Sequence, residues 1–137
     1  GGGSGRVLDT ICDHEGSIRS ISNHYLGFMT TSNDGCVVLR KEDGSPIDTM
    51  MHPPSDGPVF VFDCCALGGG LDSVSCGEDG SVMVWSGTEL LQSIPHPSSV
   101  WAVAAFPGTK GDFVTCGHDG VLRVFSRGEE GGAMEVE

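Results

Sequence analysis

A pattern of ten or eleven residues occurs three times in the sequence, and it constrains the fold more than any other feature. "SCGEDGSVMVW" (75–85) and "TCGHDGVLRVF" (115–125) share small residues, one variable residue, Asp-Gly and then alternating apolar positions. "TSNDGCVVLR" (31–40) follows the same plan. The Asp recurs after 45 residues, from Asp34 to Asp79, and after 40 residues, from Asp79 to Asp119. Repeats of about 40–45 residues are typical of four-stranded propeller blades, so three such units are predicted.

The residues around each Asp-Gly pair predict β-strands and tight turns rather than helices. "SVMVW" (81–85) and "VLRVF" (121–125) have the alternation of a half-buried strand. The Gly tolerates a positive φ angle, and the Asp can bond neighbouring amides, as a tight turn requires. Glycine makes up 22 of the 137 residues, about twice the usual share of ~7%. Because these glycines are spread between short apolar stretches, they indicate many turns, and the chain is predicted to be all-β.

The repeats divide the chain into consecutive segments. Residues 1–12 are predicted to be a flexible linker, "GGGSG", and then the outer strand of a preceding blade, "GRVLDTIC" (5–12). Blades follow over 13–51, 52–95 and 96–127, with inner strands within "SIRSIS" (17–22), "PVFVF" (58–62) and "SVWAV" (99–103). The last blade is predicted to lack its outer strand, and residues 128–137 are predicted to form an acidic tail.

A histidine ahead of the first strand of each repeat is a second shared feature. The histidines and the apolar residues taken to begin the strands are His14 and Ile18, His52 and Val59, and His96 and Val100. The spacing is four positions in the first and third repeats, and the second repeat has three extra residues. Five positions after the Gly stand Arg40, Trp85 and Phe125. The pattern resembles the WD40 repeat, which implies about three four-stranded antiparallel blades of a seven-bladed β-propeller.

The resemblance also implies a hydrogen-bonded group in each blade, made by the His, a Ser or Thr of the second strand, the turn Asp and the Trp. The candidates are His14, Thr31 and Asp34; His52, Ser75, Asp79 and Trp85; and His96, Thr115 and Asp119. Buried carboxylates and imidazoles need hydrogen-bond partners, so these groups have an architectural reason to exist. The competing interpretation is a catalytic His–Asp pair. Three copies in register favour architecture, because repeats triplicate residues and catalytic sites rarely do.

The charge and the cysteines disfavour several classes of function. The chain has 7 Lys and Arg against 19 Asp and Glu, a formal net charge of −12. That balance makes nucleic acid and anionic membrane surfaces poor partners. The six cysteines lie in apolar, strand-like stretches without a CxxC motif. We therefore expect buried free thiols, no metal site and no cofactor. Free thiols are typical of a reducing intracellular environment, so we expect the protein in the cytoplasm or the nucleus.

Three stretches carry a closer resemblance: "SCGEDGSVMVWS" (75–86), "SVWAV" (99–103), and "DGVLRVFSR" (119–127) ahead of acidic residues. Residues 13–127 resemble the last propeller blades of the family of phospholipase A(2)-activating protein and its fungal ubiquitin-homeostasis relatives. The resemblance implies a non-enzymatic module whose propeller surface binds ubiquitin. Members of that family carry further modules, PFU and PUL, of which the second binds an AAA ATPase. We expect the ATPase to be a partner only through modules absent from this chain.

Binding is expected at the rim of the propeller rather than at the buried groups. Two positions per blade are predicted to face the rim: the residue before the turn Asp, and the residue after the first apolar position of the inner strand. The first set is Asn33, Glu78 and His118, and the second is Arg19, Phe60 and Trp101. Aromatic residues beside an Arg are typical of binding hot spots. For Phe60 and Trp101 the alternative is core packing, because aromatic side chains are often buried.

Three functions are compatible with the sequence. The first is part of a ubiquitin-binding propeller that acts in ubiquitin-dependent protein degradation with an AAA ATPase. The second is a WD40 scaffold for another protein partner, such as a ubiquitin-ligase adaptor. The third is an enzyme that uses a Cys/His pair, which the absence of any nucleophile motif disfavours. In each case the remaining propeller blades are expected to be partners of these three.

Overall fold

The computed structural model describes residues 5–68, 70–127 and 133–135, and every regular element in these ranges is a β-strand. The strands are β1 (Ile18–His24), β2 (Gly27–Ser32), β3 (Cys36–Lys41), β4 (Pro46–Met51), β5 (Val61–Ala66), β6 (Asp72–Gly77), β7 (Ser81–Ser86), β8 (Glu89–Pro95), β9 (Val100–Ala105), β10 (Phe113–Gly117), β11 (Leu122–Arg127) and β12 (Ala133–Glu135). No helix in these ranges is long and apolar enough to span a membrane.

The described strands form three antiparallel sheets of four strands each. Their orders are β1-β2-β3-β4, β5-β6-β7-β8 and β9-β10-β11-β12, so each sheet is a meander in which consecutive strands are neighbours. Short turns suffice to connect such strands. The prediction of an all-β chain with three four-stranded antiparallel blades is confirmed.

The third sheet differs from its prediction, because β12 supplies an outer strand that the sequence did not reveal. Its register with β11 is Ala133–Arg127, Met134–Ser126 and Glu135–Phe125. The prediction of a missing strand was wrong because three residues are too few to show an alternation. The rest of the predicted tail, 128–132 and 136–137, lies outside the described residues. Residues 1–4 of the predicted linker also lie outside them. Residues 5–12, predicted as an outer strand, pair with no strand in the described part of the chain.

The Asp-Gly turns join the second and third strands of each sheet. The glycines have positive φ angles of 88° at Gly35, 85° at Gly80 and 74° at Gly120. The Asp carboxylates accept the backbone N–H two residues ahead, in the pairs Asp34–Cys36, Asp79–Ser81 and Asp119–Val121 at 2.9, 2.9 and 3.1 Å. An Asp that bonds the backbone and a Gly that accepts a positive φ are what this turn requires.

The sheets pack face to face, and the apolar cores lie between them. The core between the first and second sheets consists of Met29, Val37, Leu39, Met50, Val61, Cys64, Met83 and Trp85. The core between the second and third consists of Leu67, Val74, Cys76, Val82, Val84, Val100, Val103, Phe113 and Phe125. Strand β7 contributes to both cores, since its successive side chains point to opposite faces. That double burial explains why "VMVW" is apolar at every position.

The inner strands β1, β5 and β9 lie side by side where the three sheets meet. Between β1 and β5, the Ser22 hydroxyl lies 3.2 Å from the Cys64 sulfur. Between β5 and β9, the Val103 N–H donates to the Asp63 carboxylate at 3.1 Å. The first strand of each sheet therefore lines a common edge, as propeller blades require.

Candidate functional site

The second blade contains a continuous chain of hydrogen bonds from its Trp to its turn Asp. Trp85 Nε1 donates to Ser75 Oγ at 2.9 Å, and Ser75 Oγ lies 2.6 Å from His52 Nε2. His52 Nδ1 lies 2.7 Å from Ser81 Oγ, which donates to Asp79 Oδ1 at 2.5 Å. Ser81 thus stands between the predicted partners His52 and Asp79. Ser81 was not among the predicted residues, although its place directly after Asp-Gly was a usable signal.

The first blade uses a direct contact and a different threonine. His14 Nδ1 lies 2.8 Å from Asp34 Oδ2, and His14 Nε2 lies 2.8 Å from Thr30 Oγ1. The assignment of Thr31 to this group was therefore wrong, since its hydroxyl contacts Ser20 at 2.6 Å. Neighbouring residues of a strand point to opposite faces, so only one of the two threonines can reach the His.

An arginine occupies the Trp position of the first blade. Arg40 is 2% exposed, and its Nε donates to Thr30 Oγ1 at 3.0 Å. Its two terminal nitrogens each donate to Asp13 at 2.7 Å, in a bidentate pair. Hydrogen bonding to this guanidinium lowers the pKa of Asp13. Asp13 was not among the predicted residues. It lies 27 residues before Arg40, and no sequence pattern links the two positions.

The third blade replaces the Trp hydrogen bond by ring packing. His96 Nε2 lies 2.9 Å from Thr115 Oγ1. Phe125, which has no donor, packs against the His96 ring at a centroid distance of 5.7 Å and stacks on Phe113 at 5.1 Å. The turn residue Asp119 forms an ion pair with Arg123 at 3.0 Å.

The central groups of these chains are inaccessible to a substrate. His52 and Ser75 are fully buried, and Thr115 is 1% exposed. Burial lowers the pKa of His52 from 6.5 to about 4, so this imidazole is neutral at physiological pH. The geometry supports a role in holding the blades together.

Three cysteines of the second blade are held as protonated thiols by their burial. All six cysteines of the chain are free. Burial raises the pKa of Cys64 to about 11 and that of Cys65 to about 12, and it raises the pKa of Cys76 as well. A thiol, unlike a thiolate, is a poor nucleophile. Within the described ranges, no cluster of His, Cys, Asp and Glu could hold a metal ion.

Backbone hydrogen bonds establish which rim positions are equivalent. In each blade the N–H of the residue before the turn Asp donates to a carbonyl just ahead of the inner strand. These pairs are Asn33–Ser17, Glu78–Phe60 and His118–Ser99, at 2.9, 2.9 and 3.0 Å. Phe60 therefore corresponds to Ser17 and Ser99, and its predicted equivalence with Arg19 and Trp101 was wrong. The residue equivalent to Arg19 and Trp101 is Phe62.

A β-bulge distinguishes this second position in all three blades. Each inner strand skips one residue in its pairing with the next strand: between Ile18 and Ser20, between Val61 and Asp63, and between Val100 and Ala102. The skipped residues are Arg19, Phe62 and Trp101. A bulge leaves its extra residue unpaired and redirects the side chain. Three bulges in register thus present three side chains at the same end of adjacent sheets.

The three bulge residues and His118 form one surface, which we call the rim patch. The Arg19 guanidinium lies 4.7 Å from the centroid of the Phe62 ring. A cleft of about 300 Å³ is lined by Arg19, Phe62 and Trp101. Trp101 is 54% exposed, and its ring packs edge-to-face with the His118 ring at a centroid distance of 5.7 Å. Of the other predicted rim residues, Glu78 is exposed and Asn33 is half-buried, each in the turn of its own blade.

Comparison with known proteins agrees with this architecture. The sequence model of the WD domain, G-beta repeat family matches residues 88–126. The structure is similar to the crystal structure of the WD40 β-propeller domain of Doa1, with a TM-score of 0.72. The two proteins share 31% sequence identity, and the match covers 86% of this chain. The chain has the fold of WD40 β-propeller blades. It is also 33% identical, over 122 residues, to ubiquitin homeostasis protein lub1 of Schizosaccharomyces pombe.

These matches confirm the resemblance to the ubiquitin-homeostasis relatives and show a WD40 protein-interaction module. The match with lub1 covers 88% of this chain but only 16% of lub1. The chain spans 39% of the chain in the Doa1 structure. WD40 propellers are typically non-catalytic scaffolds, and this likeness implies protein partners.

Proposed function

We propose that the rim patch binds ubiquitin as part of a larger WD40 propeller. The observation that carries the proposal is the convergence of Arg19, Phe62 and Trp101 on one cleft, because three bulges place them there. Trp and Arg are among the residues enriched at binding hot spots, and both Trp101 and Arg19 are exposed. The name of the relative lub1, a ubiquitin homeostasis protein, supports ubiquitin as the partner.

In the cell, this activity would serve ubiquitin-dependent protein degradation. The propeller would hold ubiquitin while an AAA ATPase, bound through other modules of a longer protein, unfolds the ubiquitylated substrate. An intracellular site in the cytoplasm or nucleus agrees with the six free thiols. In this arrangement the chain contributes recognition and performs no chemistry of its own.

A scaffold for another protein, such as a ubiquitin-ligase adaptor, is the second candidate. It is favoured by the match of residues 88–126 to the general WD repeat, which specifies no particular partner. The rim patch would serve this function equally well. The two candidates differ only in whether ubiquitin itself binds.

Titration of isotope-labelled ubiquitin with the intact propeller, followed by NMR, tests the proposal. We expect saturable shifts of a contiguous set of ubiquitin resonances. Replacing Trp101 by Ala should weaken binding by about 2 kcal/mol or more, the scale of a hot-spot residue. Its thermal melt should be unchanged, because the side chain supports little of the core.

Asp79→Ala is the matched control for the frame. It removes the acceptor at the end of the second blade's hydrogen-bond chain, so the protein should lose about 1–3 kcal/mol of stability while it retains ubiquitin binding. A ubiquitin spectrum that does not change on titration would refute ubiquitin binding and favour the scaffold function. A Trp101→Ala variant that unfolds would show that rim and frame have been assigned the wrong way round.

A further inference from the structure

The second blade has a longer connection between its His and its inner strand than the other two. With the equivalences given by the bulges, the inner strands begin at Ile18, Val61 and Val100. His14 and His96 precede them by four positions, whereas His52 precedes Val61 by nine. The five extra residues belong to "PPSDGPVF" (53–60). Extra residues on a rigid scaffold frequently carry binding functions.

This connection is ordered by its own chemistry. Pro53, Pro54 and Pro58 restrict the backbone, and the Ser55 N–H donates to the Gly57 carbonyl at 3.1 Å. The loop therefore stands as a stiff wall beside the Asp-Gly turn of the first blade. Stiff loops lose little conformational entropy when they bind a ligand.

The wall borders an open cavity of about 410 Å³ between the first and second blades. Its lining residues are Glu15, Asn33, Asp34, Met51, His52, Pro54, Gly57 and Pro58. The volume lies in the usual range of ligand sites, about 300–1,000 Å³. Because Asn33 precedes the turn Asp, the cavity lies at the same end of the sheets as the rim patch but does not include any of its residues.

The lining combines apolar walls with negative charge. Met51, Pro54 and Pro58 are exposed and provide apolar surface. Glu15 is exposed, and the described lining contains no lysine or arginine. Although burial acts to raise the pKa of Asp34, hydrogen bonds from His14 and from the amides of Cys36 and Glu15 lower it, so this group stays ionised. The buried Asn33 amide oxygen lacks a hydrogen-bond partner, which leaves one further acceptor unsatisfied in the wall.

We propose that this cavity receives a lysine or arginine side chain of a protein partner. The aliphatic stem of such a side chain would lie against Met51 and the prolines, as long cationic side chains do on apolar surfaces. Its charged head would reach the Glu15 carboxylate. An anionic side chain would meet like charge, both locally and from the net charge of −12. The site is separate from the rim patch, and its chemistry does not depend on which protein binds there.

NMR titration of the intact propeller with small probes tests the site without knowledge of the partner. The probes are N-acetyl-lysine methylamide, N-acetyl-arginine methylamide and the neutral analogue N-acetyl-norleucine methylamide. We expect saturable shifts of the Met51 methyl and the Gly57 amide with the two cationic probes. The norleucine probe should bind about threefold more weakly or worse, because it lacks the ion pair. Equal affinity for the three probes would overturn the proposal.

Two variants and two controls identify the origin of the binding. Glu15→Gln removes the exposed carboxylate and should weaken the lysine probe about threefold. Glu89→Gln, an equally exposed change on β8, should have no effect. Replacement of residues 53–60 by Pro-Ser-Ser, the connection of the third repeat, should abolish the lysine-specific shifts. Trp101→Ala should leave them intact, so a failure of the rim proposal is distinguishable. A Glu15→Gln variant with unchanged lysine affinity would refute the site.

Discussion

Ser75 has two partners at once, and this fixes the protonation state of the second blade. Its oxygen accepts a hydrogen from Trp85, so its own hydrogen is free to go to His52 Nε2. His52 Nδ1 must then carry the ring proton and donate it to Ser81. The Ser81 hydroxyl in turn donates to Asp79. Every donor in this chain has an acceptor only when His52 is neutral.

The blade should therefore lose stability in acid. Burial holds the folded-state pKa of His52 at about 4, below the ordinary 6.5. The stability that depends on neutral His52 is complete above pH 6.5, and it declines as the pH falls from 6.5 towards 4. The full loss is about 3 kcal/mol, since one pKa unit corresponds to about 1.4 kcal/mol.

Urea unfolding across this pH interval provides the measurement. The His52→Gln variant is the control, because it lacks the titrating group while the carboxylates remain. The variant should be less stable at neutral pH but less sensitive to acid. An identical pH dependence of the two proteins would contradict the assignment of His52.

The residues of the blade frames could be predicted only where the repeat spacing determines them. Ser75 and Thr115 lie four positions before their turn Asp, and the same offset selects Thr30 rather than Thr31. The partnership of Asp13 with Arg40 could not be predicted. It arises because Arg40 replaces a Trp and needs a counter-ion, which only the folded chain brings within 2.7 Å.

At the scale of the strand and turn, the first two Asp-Gly turns also position the blade that follows. The Gly35 carbonyl accepts the N–H of His52 at 3.0 Å, and the Gly80 carbonyl accepts the N–H of His96 at 2.8 Å. A Cβ atom on Gly80 would lie only 2.6 Å from the His96 carbonyl oxygen. A Cβ atom on Gly120 would have no described neighbour within 4 Å. Gly80 thus has both a conformational and a packing role.

Alanine at Gly80 and at Gly120 should separate those roles. Both glycines have a positive φ angle, 85° and 74°, so either substitution should cost about 1–2 kcal/mol in backbone strain. Gly80→Ala should cost roughly 1–3 kcal/mol more, the usual penalty of overpacking. The free energies of unfolding, measured by urea titration of each variant, test the difference. Equal losses would show that the turn does not couple neighbouring blades.

The inner-strand bulge is the element that sequence reasoning could not resolve. "PVFVF" (58–62) offers two Val-Phe pairs with the same alternation. The choice between Phe60 and Phe62 depends on the length of the preceding connection, which differs between repeats. The backbone bond between Glu78 and Phe60 and the bulge between Val61 and Asp63 fix the register. In the other two blades the connection is short, and there Arg19 and Trp101 were predicted at the position where the bulge places them.

At the scale of the whole molecule, the middle blade is covered on both faces and the outer two are not. Ile21 on β1 and Leu122 on β11 are each 72% exposed. The chain spans 39% of the chain in the Doa1 propeller structure. Apolar surface of this kind is an interaction site or an association liability.

The chain by itself should therefore associate in solution. We expect sedimentation velocity to show species that grow with protein concentration, and we expect a broad thermal transition. Coexpression with the remaining blades of the propeller should suppress the association, since those blades would cover Ile21 and Leu122. A monomeric chain with a sharp, cooperative melt would contradict this expectation.

The central claim is that three bulges, and not the residues beside them, create the binding surface. Calorimetric titration of ubiquitin into the intact propeller with Phe62→Ala or Phe60→Ala tests it most directly. Both substitutions remove a half-buried phenyl ring from the same segment, and matching thermal melts would show that each variant is folded. We predict that Phe62→Ala weakens binding by about 2 kcal/mol, while Phe60→Ala binds ubiquitin as the unsubstituted propeller does. The reverse order, or equal losses, would contradict the claim.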